Sequence, residues 1–274
     1  MIDFDILGVV EGPWRKSWTS DDALRYAVGV GATELAFATE NSSGVDQRAL
    51  PTMALALTHF TEPAQVFGDV DLTQVLHAEQ SLVLHRPFPV AGSIEVRRQV
   101  TDIFDKGSGA LIVSRVDAVD PLGPLFSAVS SAFLLGEGGF GGSRGPSSRT
   151  SLPSRPADRR LEFATALNQA LIYRHSGDRN PLHSDPSFAA RGGLPRPILH
   201  GLCTFGITSR LLINSFADGD AHRVTAISGR FTAPVFPGDL LIVDAWLDGA
   251  TVAFRTSTSA GTVVIDGGRL SLLG

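Results

Sequence analysis

Residues 197–213, PILHGLCTFGITSRLLI, decide the fold that this sequence predicts. Their apolar side chains fall on nearly all sides of a helix, and such a helix belongs inside a protein. Strand-like runs follow, separated by Pro-Gly, Asp-Gly and Gly turn signals: VTAISGRF, DLLIVDAWL, TVAFRTST and TVVIDGGRLSLL. The pattern therefore predicts one buried helix wrapped by an antiparallel sheet, which is an α+β arrangement.

The same order of elements occurs earlier in the chain, so the sequence indicates a duplicated unit. Three pairs of landmarks are separated by a nearly constant 146 or 147 positions: Tyr26 and Tyr173, Pro51 and Pro197, Gly92 and Gly238. A stretch rich in Gly, Ser, Pro and Arg between the copies is typical of a linker. We therefore expect a first unit at 1–136, a linker at 137–159 and a second unit at 160–274.

Composition narrows the classes of protein. The 274 residues are 43% hydrophobic and 19% charged, as in a well-packed globular protein, and the net charge of -5 argues against nucleic-acid or membrane-surface binding. No apolar run approaches the roughly 18 residues of a membrane helix. The acidic N-terminus is unlike a signal peptide, and the single Cys203 fits a buried thiol in a reducing compartment. We expect a cytoplasmic protein.

The densest group of titratable side chains is YRHSGDRNPLHSD at 173–185. Asp178 and His183, five positions apart across a loop, could converge on one water molecule, the carboxylate accepting its proton while the imidazole orients it. Asn180 could support this site or simply begin a turn before Pro181. The aligned positions of the first unit hold no such group: Gly31, Thr33 and Ala36. This difference predicts that only the second unit kept the chemistry.

Gly201 lies near the start of the predicted helix, where backbone N–H groups have no internal partner and could bind a developing oxyanion. Basic residues around the loop are candidates for binding an anionic substrate: Arg174, Arg179 and Arg196. His175, Asp178, His183, Asp185 and His200 could supply metal ligands, but their spacing matches no familiar ligand pattern. Asp185 before a proline is also typical of a helix N-cap. We predict no metal and no cofactor.

Residues 173–206, YRHSGDRNPLHSDPSFAARGGLPRPILHGLCTFG, closely resemble the hydratase-2 motif of the MaoC-like family, the (R)-specific enoyl-CoA hydratases. Weaker resemblance extends over the chain in LHAEQ (76–80), FDKGSGA (104–110), GGFGG (138–142) and RFTAPVFPGD (230–239). One departure is Ala78, where the family has glycine. The resemblance implies a double hot-dog fold, in which each of two sheets wraps a central helix.

The resemblance also implies reversible syn addition of water to a trans-2-enoyl-CoA, giving a (3R)-3-hydroxyacyl-CoA. It implies that Asp178 and His183 form the catalytic pair, that Asn180 supports them, and that the Gly201 N–H binds the thioester oxygen. The first unit would accommodate the acyl chain. Three alternatives remain open: dehydration of a 3-hydroxyacyl group on acyl carrier protein, a non-catalytic acyl-thioester binding protein, and a hydrolase. The chain is expected to be a monomer or a homodimer.

Overall fold

One antiparallel sheet of ten strands runs through the computed structural model, which describes residues 1–59, 65–146 and 151–274. The strands are β1 (Val10–Trp18), β2 (Val75–Leu84), β3 (Gly92–Asp105), β4 (Gly109–Asp120), β5 (Gly123–Leu135), β6 (Arg159–Ala164), β7 (Val224–Phe231), β8 (Leu240–Asp248), β9 (Thr251–Thr258) and β10 (Val263–Leu272). The α-helices are α1 (Ser20–Gly29), α2 (Leu35–Ala38), α3 (Met53–His59), α4 (Gln169–Tyr173), α5 (Pro186–Arg191) and α6 (Gly201–Phe216).

The sheet order shows the predicted duplication directly. The order is β1-β3-β4-β5-β2-β7-β10-β9-β8-β6, so each unit contributes five strands in the same relative order. The two halves join where β2 pairs with β7, from Glu79 opposite Arg230 to Val83 opposite Ala226. The predicted α+β class with two repeats is therefore confirmed, and the five strands of each unit join in one continuous sheet.

The central helix of the second unit is buried as predicted, but it begins later. Helix α6 starts at Gly201 rather than at Pro197, and Cys203 within it is fully buried. The N–H of Ile198 donates to the Leu182 carbonyl at 3.3 Å, and the N–H of Leu199 donates to the Val235 carbonyl at 2.7 Å. These bonds hold Ile198 and Leu199 against neighbouring segments outside the helix, and His200 before Gly201 has extended backbone, with φ -59° and ψ 136°.

Buried polar contacts tie the first unit to the second beside α6. Gln169 Nε2 donates to the Gly29 carbonyl at 2.8 Å. The Arg210 guanidinium donates to the Val30 carbonyl at 3.2 Å and pairs with Glu34 at 2.6 Å. A buried arginine satisfied in this way fixes the relative position of two elements, because separating them would leave a charge unpaired. The end of α1 and the residues that follow it are therefore held against α4 and α6.

The described parts of the predicted linker, 137–146 and 151–158, contain no helix or strand. Asp105 accepts hydrogen bonds from the N–H groups of Gly139 and Gly141 and so holds the start of this segment against β3.

Ala78, the departure from the family pattern, lies at a β-bulge in β2. Within the described residues, no helix is long and apolar enough to cross a membrane.

Candidate active site

The carboxyl group of Asp178 is held inside the loop that connects α4 to α5. Gly177 before it has a φ of 133°, a conformation that strongly favours glycine, and the chain turns there. The N–H of Asn180 donates to Asp178 Oδ1 at 3.0 Å. Asp178 is only 7% exposed, so this hydrogen bond fixes one carboxylate oxygen and leaves Oδ2 facing the neighbouring imidazole.

His183 lies at the end of a 3-10 turn, Pro181–His183, and is 8% exposed. Its Nδ1 is 3.0 Å from the Ile198 carbonyl, which can only accept, so Nδ1 carries the proton. The lone pair of Nε2 then faces Asp178 Oδ2 at 3.7 Å. That separation is too long for a direct hydrogen bond, and an ionised carboxylate and this nitrogen are both acceptors. A molecule with two hydrogens to donate, such as water, matches the pair.

The His200 ring contacts both His183 and the backbone of Asp178. It stacks on the His183 ring with centroids 3.7 Å apart, and the Tyr173 ring is tilted against it with centroids 4.9 Å apart. His200 Nε2 lies 3.4 Å from the Asp178 backbone carbonyl. Burial, and then the neighbouring His183, lower the pKa of His200 to about 2, so this ring is neutral at physiological pH. We infer that His200 positions His183 and Asp178 without exchanging protons itself.

Burial also shifts the two facing groups in opposite directions. Loss of solvent raises the pKa of the Asp178 carboxyl above 3.8, and nearby His183 opposes this shift only in part. Loss of solvent lowers the pKa of His183 below 6.5. A neutral imidazole beside a carboxylate of raised basicity is the combination that general-base chemistry on water requires near neutral pH.

The N–H of Gly201 is the first of α6 and donates to no residue in the described part of the chain. A helix N-terminus concentrates such unpaired donors and favours negative charge. A Cβ at this position would lie 3.4 Å from the Phe231 ring, which is ordinary contact, so the missing side chain leaves an open approach to the backbone. Gly201, Asp178 and His183 line the same cavity.

The other predicted site residues have different surroundings. Asn180 Oδ1 accepts from the Leu182 N–H at 3.0 Å, so its carbonyl oxygen caps the turn, although the residue also lines the cavity. Of the three arginines, Arg179 lines the cavity, whereas Arg174 and Arg196 do not. Arg196 donates to the Pro237 carbonyl at 3.0 Å and lies over the Phe236 ring at 4.8 Å.

Three of the five possible metal ligands predicted from the sequence lie close together in the structure. Asp178, His183 and His200 each present a ligand atom within 4.8 Å of the others. The hydrogen bond from His200 to the Asp178 carbonyl puts the ring proton on Nε2, so the nitrogen nearest the carboxylate has no lone pair for a cation. Asp185 instead accepts from the Ser187 N–H at 2.8 Å and caps α5, as the sequence predicts.

The cavity has a volume of about 900 Å³ and is lined by both units. Sequence reasoning missed its first-unit lining, which includes His77, Arg98 and Ser114. One signal was present in the sequence. In the run IEVRRQV, strict alternation points one of two consecutive arginines toward the sheet's inner face.

Comparison with known proteins identifies the relatives of this chain. The description "MaoC like domain" matches residues 149–268, and "MFE-2 hydratase 2 N-terminal domain" matches 17–136. The chain is 43% identical to 3-hydroxyacyl-thioester dehydratase Y and 40% identical to enoyl-CoA hydratase ChsH3, both from Mycobacterium tuberculosis, over 97% of each chain. It is 39% identical to mouse peroxisomal multifunctional enzyme type 2 over 95% of this chain and 37% of that larger protein.

Comparison with solved structures identifies the fold. A MaoC-like dehydratase from Phytophthora capsici superposes with a TM-score of 0.90 at 30% identity, covering 99% of this chain and 98% of that one. A Mycobacterium tuberculosis protein described as a double hot-dog fold superposes at 0.62 and 17% identity, covering 97% and 96%. The predicted double hot-dog fold is confirmed, and the chain belongs to the MaoC-like family, in its two-unit hydratase 2 form.

Proposed function

We propose that the protein is an (R)-specific 2-enoyl-CoA hydratase, a hydro-lyase that adds water reversibly to a trans-2-enoyl-CoA and gives a (3R)-3-hydroxyacyl-CoA. The observation that carries the proposal is the pair of buried acceptors, Asp178 Oδ2 and His183 Nε2, separated by 3.7 Å in the cavity that Gly201 also lines. The names of the relatives, enoyl-CoA hydratase and hydroxyacyl-thioester dehydratase, describe the two directions of this reaction.

The proposed chemistry follows from the groups present. The Gly201 N–H donates to the thioester oxygen, which withdraws electron density from C3 of the double bond. Water held between Asp178 and His183 attacks C3 while Asp178 accepts its proton, and the negative charge moves to the thioester oxygen. The protonated carboxyl then returns that proton to C2, so one O–H bond of water and the C2=C3 π bond are replaced by new C–O and C–H bonds. Both additions come from one face, which gives the syn outcome.

The two units have separate proposed roles. Residues 160–274 supply the acid–base pair and the oxyanion donor, whereas 1–136 supply about half of the remaining cavity wall and would accommodate the acyl chain. Asn180 supports the loop through its hydrogen bonds. Arg179, exposed at the cavity, is a candidate contact for the phosphates of CoA, and Arg174 and Arg196 are weaker candidates because they lie outside the lining.

The test is hydration of trans-2-crotonyl-CoA by the purified protein. The reaction is monitored as the loss of enoyl-thioester absorbance, and the product is then identified by chiral analysis. We expect a single product, (3R)-3-hydroxybutyryl-CoA, and unchanged activity after treatment with a chelator. Release of free CoA thiol would instead indicate a hydrolase, and binding without turnover would indicate a non-catalytic acyl-thioester protein. Formation of the (3S) product would contradict the proposed geometry.

Dehydration of a 3-hydroxyacyl group on acyl carrier protein is a second candidate, because the relative at 43% identity is named as a thioester dehydratase without a specified carrier. Comparing kcat/KM for the same acyl group on CoA and on acyl carrier protein distinguishes the two carriers. We also propose a cytoplasmic location, which the single buried cysteine supports. Peroxisomal names among the relatives make an organelle the alternative, which cell fractionation resolves.

A further inference from the structure

The inner face of the first-unit sheet carries a row of polar side chains. Ser114 on β4 lies opposite Ser130 on β5, and Ser130 lies opposite Gln80 on β2, so three adjacent strands place polar residues side by side. The neighbouring inward positions on β4, Ile112 and Val116, are buried and apolar. Burying polar groups costs free energy unless they are hydrogen-bonded, so a polar row at the centre of an apolar face requires a reason.

Arg98 on β3 points to the same inner face and is 5% exposed. Its guanidinium pairs with Glu11 at 2.7 Å and lies over the Trp14 ring at 5.2 Å. The positions before and after it with the same orientation, Val96 and Val100, are apolar and buried. An arginine held this way offers hydrogen-bond donors within the fold while its charge is already balanced.

These groups belong to the cavity that also holds the candidate active site. Five lining residues from the first unit form what we call the polar cluster: Gln65, His77, Arg98, Ser114 and Ser130. Aromatic contacts give their position relative to Gly201. The Phe231 ring lies beside Gly201, and the His77 ring lies 4.8 Å from Phe231. Phe231 therefore contacts both Gly201 and His77, and the polar cluster belongs to the first-unit wall of the cavity, whereas Asp178, His183 and Gly201 belong to the second-unit wall.

The hydrogen-bonding and charge of the cluster define what it can accept. Gln65 Nε2 donates to Ser114 Oγ at 2.7 Å, which leaves the Ser114 hydroxyl hydrogen available. Nε2 of His77 is buried and has no partner among the described residues. Burial lowers the pKa of His77 to about 3, so that ring is neutral. With Arg98 balanced by Glu11, the cluster has many hydrogen-bonding groups and little net charge.

We propose that the preferred acyl thioester carries an uncharged oxygen function, a ketone or a hydroxyl, on its chain remote from the thioester, and that the polar cluster binds this oxygen. The inference rests on the proposed function. A plain alkyl end would dehydrate Arg98 and Ser114 without replacing their hydrogen bonds, whereas a ketone or hydroxyl oxygen can accept from both. A carboxylate on the substrate fits less well, because the Arg98 guanidinium is already paired with the Glu11 carboxylate.

The first experiment compares kcat/KM across trans-2-enoyl-CoA substrates of equal chain length with an unsubstituted, keto, hydroxyl or carboxylate end, repeated over several lengths. At the length that reaches the cluster, we expect the keto or hydroxyl substrate to exceed the unsubstituted one by at least about tenfold. Equal values, or preference for the alkyl end, would overturn the proposal. Preference for the carboxylate would overturn the assignment of an uncharged group.

Variants assign the preference to the cluster. Arg98→Met and, separately, Ser114→Ala should reduce the ratio of kcat/KM for oxygenated over unsubstituted substrate severalfold toward one. Arg97→Met is the matched control, because Arg97 is the adjacent residue on β3 and points to the exposed face. An unchanged ratio in both cluster variants would contradict the proposal, and Ser114→Ala decides the matter if Arg98→Met does not fold.

Crotonyl-CoA, with no remote end, separates this inference from the proposed function. If the unaltered protein hydrates crotonyl-CoA but shows no preference among the longer substrates, the polar cluster is not a specificity site and the hydratase assignment stands. If it hydrates neither crotonyl-CoA nor any longer enoyl-CoA, the proposed function itself fails.

Discussion

Two aspartates in the same loop region have different surroundings and therefore different expected roles. Asp178 is buried beside two imidazoles, whereas Asp185 is exposed and caps α5. Replacing Asp178 by Asn keeps the shape but removes the proton acceptor, so we expect kcat to fall about 10²–10⁴-fold. Asp185→Asn is the control, because asparagine caps a helix as well as aspartate does and activity should persist. Hydration of crotonyl-CoA measures both, and full activity in Asp178→Asn would contradict the mechanism.

The opposed pKa shifts of Asp178 and His183 predict the pH dependence. Activity requires the carboxylate ionised and the imidazole neutral. Because burial raises the pKa of the Asp178 carboxyl above 3.8 and lowers that of the His183 imidazole, kcat/KM should fall on the acidic side along a limb that lies above pH 3.8. The apparent pKa of that limb belongs to the coupled pair. Full kcat/KM retained down to pH 3.8 would contradict the raised pKa of Asp178.

At the residue scale, the types and spacing of Asp178 and His183 were readable from the sequence, because chemistry-bearing side chains were concentrated in one loop. The stacking of His200 on His183 was not, since it depends on how the loop folds back on the start of α6. The contact of Arg98 with Glu11 was also missed, because the two residues are 87 positions apart and local sequence does not indicate which strands pair.

At the scale of elements, the start of α6 carries a prediction about its first N–H. Gly201→Pro removes that hydrogen where a helix tolerates proline, and His200 already has the extended backbone, φ -59° and ψ 136°, that precedes a proline. We expect kcat to fall about 10²–10³-fold. Gly201→Ala keeps the N–H, and its Cβ would make only ordinary contact with Phe231, so it should lose far less. Equal losses in the two variants would favour a steric role for this glycine.

The strands of the sheet were predictable where one face is apolar and the other polar. The bounds of β7 and β9 match the predicted runs, and β8 and β10 differ by a residue at their ends. The strands β1 and β6 were missed because they lie at the edges of the sheet with little buried surface, and β1 contains Gly12-Pro13. The strand β2 was also missed, because its inward positions include the polar residues Gln80 and His77. These residues interrupt the alternation of apolar and polar side chains that indicates a strand.

At the scale of the whole molecule, one chain contains both halves of the site. The β2–β7 pairing and the contact of Arg210 with Val30 and Glu34 join the units within the chain. The cavity accordingly takes its lining from both units of one chain. This arrangement supports our proposal that the protein is active as a monomer or as a dimer of complete sites.

The activity of each chain should therefore be independent of protein concentration. Asp178, His183, Gly201 and the described first-unit lining all belong to one chain, so we expect dissociation of a dimer to leave every site whole. We expect constant kcat per chain from nanomolar to micromolar protein, with light scattering on the same samples reporting the mass. Inactivation on dilution, reversed on concentrating and coinciding with dissociation, would mean that a partner chain shapes the site. In that case the units would have to be stabilised across chains rather than by the seam at β2 and β7.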